Sequence, residues 1–170
     1  MNGNAVGRQM EILLVEQNCS DARLTFEFLK QRPRRHRLTW VEDGQEAMEF
    51  LHRRGRFAQA PRPDLVLLAL ELPNKDGWQV LAEMKSDEQL QQIPVVVLTP
   101  SNIDERTVKN QHLDVEEYLT KPVDPDRFLS LMQELRTFWV ADIIGYRRDA
   151  RGHQRDGTRE FESLRGLVGL

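Results

Sequence analysis

The stretch Pro63-Asp64-Leu65-Val66-Leu67-Leu68-Ala69-Leu70-Glu71-Leu72-Pro73 constrains this chain most. Leu65 to Leu70 is a continuous apolar run between two prolines, with no alternation of polar and apolar positions. It is too short for a helix that stands alone, and it reads as a strand buried on both faces of a parallel sheet. In open sheets of that kind, ligands and chemistry gather at the carboxyl ends of the strands. Here that end presents Ala69, a methyl group, where a reactive side chain would be expected.

Four further runs take their places around this one. Met10–Val15 predicts a first strand ending in the polar Glu16-Gln17-Asn18. Ser20 or Asp21 is expected to cap a helix whose buried stripe is Leu24, Phe28 and Leu29, stopping near Arg32-Pro33. Leu38–Val41 predicts a short second strand, and Asp43-Gly44 turns into a helix with Ala47, Phe50 and Leu51 inward. After the central strand, Asp76-Gly77 starts a helix with Val80, Leu81 and Met84 on one face. Ile93–Leu98 predicts the fourth strand, and a helical stretch opens at Asn102 or Asp104 and runs through His112. Glu117–Thr120 predicts the fifth strand, closed by Lys121-Pro122. A last helix runs from Asp124 to Trp139, with proline in its first turn and Phe128, Leu131, Met132, Leu135 and Phe138 at helical spacing. Strands alternating with helices mean a parallel α/β sheet, doubly wound, with helices on both faces.

Composition narrows the class. The chain has 170 residues and a net charge of −3, which favours neither nucleic acid nor an anionic membrane as partner. Its one cysteine, Cys19, cannot form an internal disulfide and suits a reducing compartment, so a cytoplasmic location is expected. No run reaches membrane-spanning length, and the four histidines show no metal-ligand spacing. The domain reading is a loose arm over 1–9, a domain over 10–140, and an extension over 141–170. That extension begins with a basic, core-poor segment and ends with Phe161, Leu164, Leu167 and Val168 at helical spacing, as a partly disordered tail or a docking helix.

The strand ends now stand in order: Glu16-Gln17, Ala69, Thr99, and Lys121 followed by Pro122. This layout resembles the receiver domain of two-component response regulators. The stretches 61–68, 72–77 and 93–99 look especially like the small single-domain regulators that accompany phytochrome-type histidine kinases. The resemblance implies a flavodoxin-like five-stranded sheet in the order 2-1-3-4-5. It also implies a chemistry. In that family two acidic residues at the first strand hold Mg²⁺, an aspartate at the third accepts a phosphoryl group, and Thr and Lys at the fourth and fifth contact it. By the same comparison Tyr118 occupies an aromatic switch position.

This sequence departs from that pattern twice. Ala69 stands at the phosphoacceptor position and offers no nucleophile. Gln17 stands at the second acidic position and offers a neutral carbonyl where a hard cation takes a carboxylate. Of the acidic pocket Glu16 remains, so Mg²⁺ binding is expected to be weak or absent, with no other cofactor and no catalytic residue. Without a phosphoryl group, Thr99 reads as a strand end and Lys121 as the salt-bridge partner of Glu16. The expected function is that of an atypical receiver, signalling by protein–protein contact without phosphorylation. Its expected partners are a histidine kinase, with the phytochrome type in view, or another signalling protein, and a second copy, since Phe138 and Trp139 would expose an aromatic patch suited to a homodimer. Two other readings compete: a conventional phosphoaccepting regulator whose aspartate at this position was replaced, and a small-molecule sensor using the vacated crevice. A Gly-rich phosphate loop, which the last would favour, is missing at Glu16-Gln17-Asn18-Cys19-Ser20.

Overall fold

The computed structural model describes residues 9–31, 36–100 and 115–135. Five strands carry the fold: β1 (Met10–Val15), β2 (His36–Val41), β3 (Leu65–Ala69), β4 (Val95–Thr99) and β5 (Glu117–Thr120). Between them run α1 (Cys19–Lys30), α2 (Gly44–Leu51), a single 3₁₀ turn (Gly55–Phe57) and α3 (Gly77–Ser86). All four strand pairings are parallel, in the order β2-β1-β3-β4-β5 expected from the sequence.

The apolar runs become central strands because both their faces are covered. Every residue of β3 and β4 is buried. Successive side chains point to opposite faces. Leu13, Val15, Val66, Leu68, Val95 and Val97 form one core with Ala47, Phe50 and Leu51 of α2 and Val80, Leu81 and Met84 of α3. Ile12, Leu14, Leu65 and Leu67 point the other way and are equally buried.

Several details differ from the sequence reading; β2, for one, begins at His36 rather than Leu38. Asn18, rather than Ser20 or Asp21, caps α1. Its Oδ1 accepts the backbone N–H of Ser20 at 2.9 Å and of Asp21 at 3.1 Å, so those two residues sit in the first turn. The buried stripe of α1 is Ala22, Thr25, Phe28 and Leu29, while Leu24 falls on its flank and is 46% exposed. β4 starts at Val95 rather than Ile93, because Pro94 has no N–H for the ladder; its carbonyl accepts from Val66 at 3.0 Å.

The turn after β3 is tightly built. Asn74 adopts a positive φ of 64°, and its Nδ2 donates to Asp43 Oδ2 at 3.1 Å, tying this turn to the start of α2. Asp76 and Gln79 form a reciprocal capping box that opens α3. Gly77 approaches β3 so closely that a Cβ there would lie 2.3 Å from the Ala69 carbonyl oxygen. Met10–Asp124 forms one compact unit. Residues 125–135 belong to a second, where they form a helix whose Phe128, Leu131, Met132 and Leu135 are buried. The expected helix over 102–112, the arm over 1–8 and the extension over 141–170 lie outside the described residues.

Candidate functional site

Strand register brings the singled-out residues to one edge of the sheet. Val15 pairs with Leu68, Ala69 with Leu98, and Thr99 with Thr120. Glu16 therefore follows β1 at the level of Ala69, and Lys121 follows β5 just past Thr99. Glu16, Ala69 and Thr99 are all at most 1% exposed.

Glu16 is held at every polar group. Its N–H donates to the Val41 carbonyl at 3.1 Å, and its own carbonyl accepts the Trp40 indole N–H at 2.7 Å. Its Oε1 accepts the Asn18 N–H at 3.0 Å, and its Oε2 is paired with the Lys121 ammonium. That pairing is the one the sequence suggested. The same ammonium also reaches Asp21 Oδ2 at 3.1 Å, a partner that sequence reading missed because Asp21 looked like a helix cap. The backbone fixes Lys121 as well, its N–H donating to the Thr99 carbonyl at 2.8 Å. One cation thus joins the end of β1, the first turn of α1 and the end of β5.

The other singled-out residues sit close by with less to do. Thr99 Oγ1 is 3.5 Å from both the Leu119 carbonyl and Thr120 Oγ1, the long limit of a hydrogen bond, which fits a strand-end role. Gln17 is exposed and lines an open depression of about 480 Å³ with Leu70, Glu71, Leu72, Asp76 and Trp78. Tyr118 is partly buried, and burial, then the Glu117 carboxylate, raises its hydroxyl above the usual tyrosine range. Cys19 is exposed on the first turn of α1. Phe138 and Trp139 lie outside the described residues.

The chemistry available at the strand ends follows. A methyl group has no lone pair, so the side chain at position 69 can bond neither phosphorus nor a metal. Among the described residues the one buried carboxylate, Glu16, is already paired with an ammonium. Among the described residues, no group of three or more His, Cys, Asp or Glu is arranged to hold a metal ion, and no helix is long and apolar enough to cross a membrane.

Comparison with known proteins places this geometry. The profile of the response regulator receiver domain matches residues 12–133. Response regulator Rcp1 of Synechocystis sp. is 42% identical over 132 residues, spanning 78% of this chain and 90% of Rcp1. The crystal structure of the Mn(2+)-bound form of Rcp1 aligns with a TM-score of 0.65, covering 76% of this chain and 94% of that one. The phosphorylated cyanobacterial phytochrome response regulator RcpA aligns with a TM-score of 0.66 at 41% identity, covering 79% and 96%.

Proposed function

Because this chain belongs to the response regulator receiver family, we propose that it serves two-component signalling through protein contact, without taking up a phosphoryl group. The observation that carries this reading is the buried methyl of Ala69 at the end of β3, inside an otherwise intact set of Glu16, Thr99 and Lys121. Phosphoryl transfer to a receiver needs a nucleophile in line with phosphorus and a cation on the phosphoryl oxygens. The first has no atom to supply it here.

The second is equally ill served. Mg²⁺ takes near-octahedral oxygen ligands and usually one or two carboxylates. Both oxygens of Glu16 are engaged, Gln17 brings a neutral amide, and Ala69 brings no donor. This donor set does not fit the family's divalent cation, which supports weak or absent Mg²⁺ binding. Relatives of this chain include a Mn(2+)-bound regulator and a phosphorylated one, so the departure belongs to this sequence and not to its fold.

The proposed partners follow from the relatives. A histidine kinase of the phytochrome type is the expected upstream partner, RcpA being a phytochrome response regulator. A second copy, meeting through Phe138 and Trp139, is the expected self-association. Nucleic acid is not an expected partner, given the net charge of −3.

Incubation with labelled acetyl phosphate, or with a labelled histidine kinase, tests the reading. The chain takes up no label, whereas a Gln17→Asp/Ala69→Asp variant does, because it regains both the nucleophile and the second carboxylate. Label on any residue of the unaltered chain overturns the proposal. The conventional alternative, an aspartate at position 69 in the natural gene, accounts for Ala69 and leaves Gln17 unexplained.

A further inference from the structure

We propose that the turn joining α2 to β3 is a docking surface for an acidic segment of a partner protein. The turn runs from the carboxyl end of α2 to the start of β3, at the opposite edge of the sheet from Glu16 and Thr99. It is therefore a second surface, independent of whether position 69 takes up phosphorus.

Between Glu49 and Asp64 the chain carries Arg53, Arg54, Arg56 and Arg62 and no carboxylate, although its net charge is −3. All four arginines are exposed. Arg56 is answered by Glu46, and Arg62 reaches a neutral acceptor, the Gln89 carbonyl at 2.7 Å. Among the described residues, the side chains of Arg53 and Arg54 have no hydrogen-bond or ion-pair partner. Asp87, which follows α3 at the same edge, lies 3.8 Å from His52 Nδ1 and accepts the Gln89 N–H. Three guanidinium charges are thus left for an outside carboxylate.

The turn is pinned at several points. The N–H groups of His52, Arg53 and Arg54 donate to the Met48, Phe50 and Glu49 carbonyls at 2.9, 3.1 and 2.8 Å. The Arg56 guanidinium lies 4.7 Å from the centre of the Phe57 ring, and Phe57 packs edge-on against the buried Phe50 at 5.4 Å. Arginines on a fixed frame lose less freedom on meeting a ligand. Arg53 adds an independent sign. Its φ is 54°, the left-handed conformation that closes a helix and that glycine adopts at least cost. A long cation there strains the backbone, and such strain clusters at positions that serve contact rather than folding. A planar guanidinium grips a carboxylate through two parallel N–H bonds, so three of them on one turn suit a short run of Asp or Glu. Nucleic acid and anionic bilayers are broad polyanions that would also meet the acidic remainder of this chain. Segment 136–170 is not the occupant, since its sequence has seven arginines against five carboxylates.

Fluorescence anisotropy of a labelled hexaglutamate peptide, in about 50 mM salt to limit screening, tests this. The unaltered chain binds the peptide. Arg53→Gln/Arg54→Gln weakens binding about tenfold, whereas Arg23→Gln/Lys30→Gln, which removes the same charge from α1, changes it by less than about twofold. Arg53→Gly melts about 2 °C higher, because the turn relaxes, and still binds about threefold more weakly. No binding by the unaltered chain, or equal weakening by the two double variants, overturns the proposal. An Arg53→Gly variant that melts lower also overturns it, since the arginine would then serve the turn. Tighter binding of a labelled DNA duplex or of phosphatidylserine vesicles than of the peptide, lost in Arg53→Gln/Arg54→Gln, overturns it in favour of a polyanion.

Discussion

Restoring a carboxylate by Ala69→Asp should destabilise the fold when no divalent ion is present. Position 69 is 1% exposed and level with Glu16, which is also 1% exposed. The pocket now holds two carboxylates, Glu16 and Asp21, and one ammonium. A third carboxylate about 5 Å from Glu16 meets a repulsion of about 3 kcal/mol at an effective dielectric of roughly 20. Attraction to the Lys121 ammonium, which already pairs with Glu16, offsets part of it. Desolvation of the new charge adds to the remainder, and a net loss of about 2 kcal/mol is expected, within the usual range for single substitutions. For a chain of this length that lowers the melting temperature by about 6 °C. The assay is a thermal melt of both proteins in EDTA, checked by urea midpoints. A melting temperature unchanged or raised by the substitution would refute this account of the pocket's charge balance.

Three further perturbations probe other parts of the same edge. Gly77→Ala places a Cβ 2.3 Å from the Ala69 carbonyl oxygen and 2.7 Å from Leu70 Cα, both backbone atoms, so it should cost about 3 kcal/mol, read as a lower urea midpoint. Asn18→Ala removes the acceptor for two N–H groups of α1 and should cost about 1 kcal/mol by the same measurement. Tyr118 has its hydroxyl raised in the folded state by burial and by Glu117, so its contribution is intact below the unfolded value of 10.0 and is lost as pH climbs through the folded one. Urea midpoints on either side of that value should fall more steeply for the unaltered chain than for Tyr118→Phe; equal slopes would contradict the shift.

Much of this was readable residue by residue. Strands buried on both faces announce themselves as apolar runs, which is why β1 and β3 start where the runs placed them, whereas the partly buried β5, Glu117–Thr120, was marked by the Lys121-Pro122 that closes it. The capping of α3 by Asp76 was legible because the Gly77 that follows has few alternatives. The capping of α1 was not: Asn18, Ser20 and Asp21 all suit the position, and the choice depends on which N–H groups remain free once β1 has ended. Leu24 misled because its apolar character outweighed its place: the buried face runs through Ala22, Thr25, Phe28 and Leu29 at three- and four-residue steps, and two of those positions carry small side chains that signal little on their own. The Trp40 indole on the Glu16 carbonyl joins residues 24 apart on neighbouring strands and leaves no local trace.

The order of strand-end residues, and with it the methyl at position 69, was decided by the chain alone, because which atoms a side chain carries is fixed by the sequence before any folding. Where the charge of Lys121 goes was decided by the fold. Only parallel pairing of β1, β3, β4 and β5 sets residue 121 beside residues 16 and 21, since a contact between positions a hundred apart is created by the sheet that closes the distance.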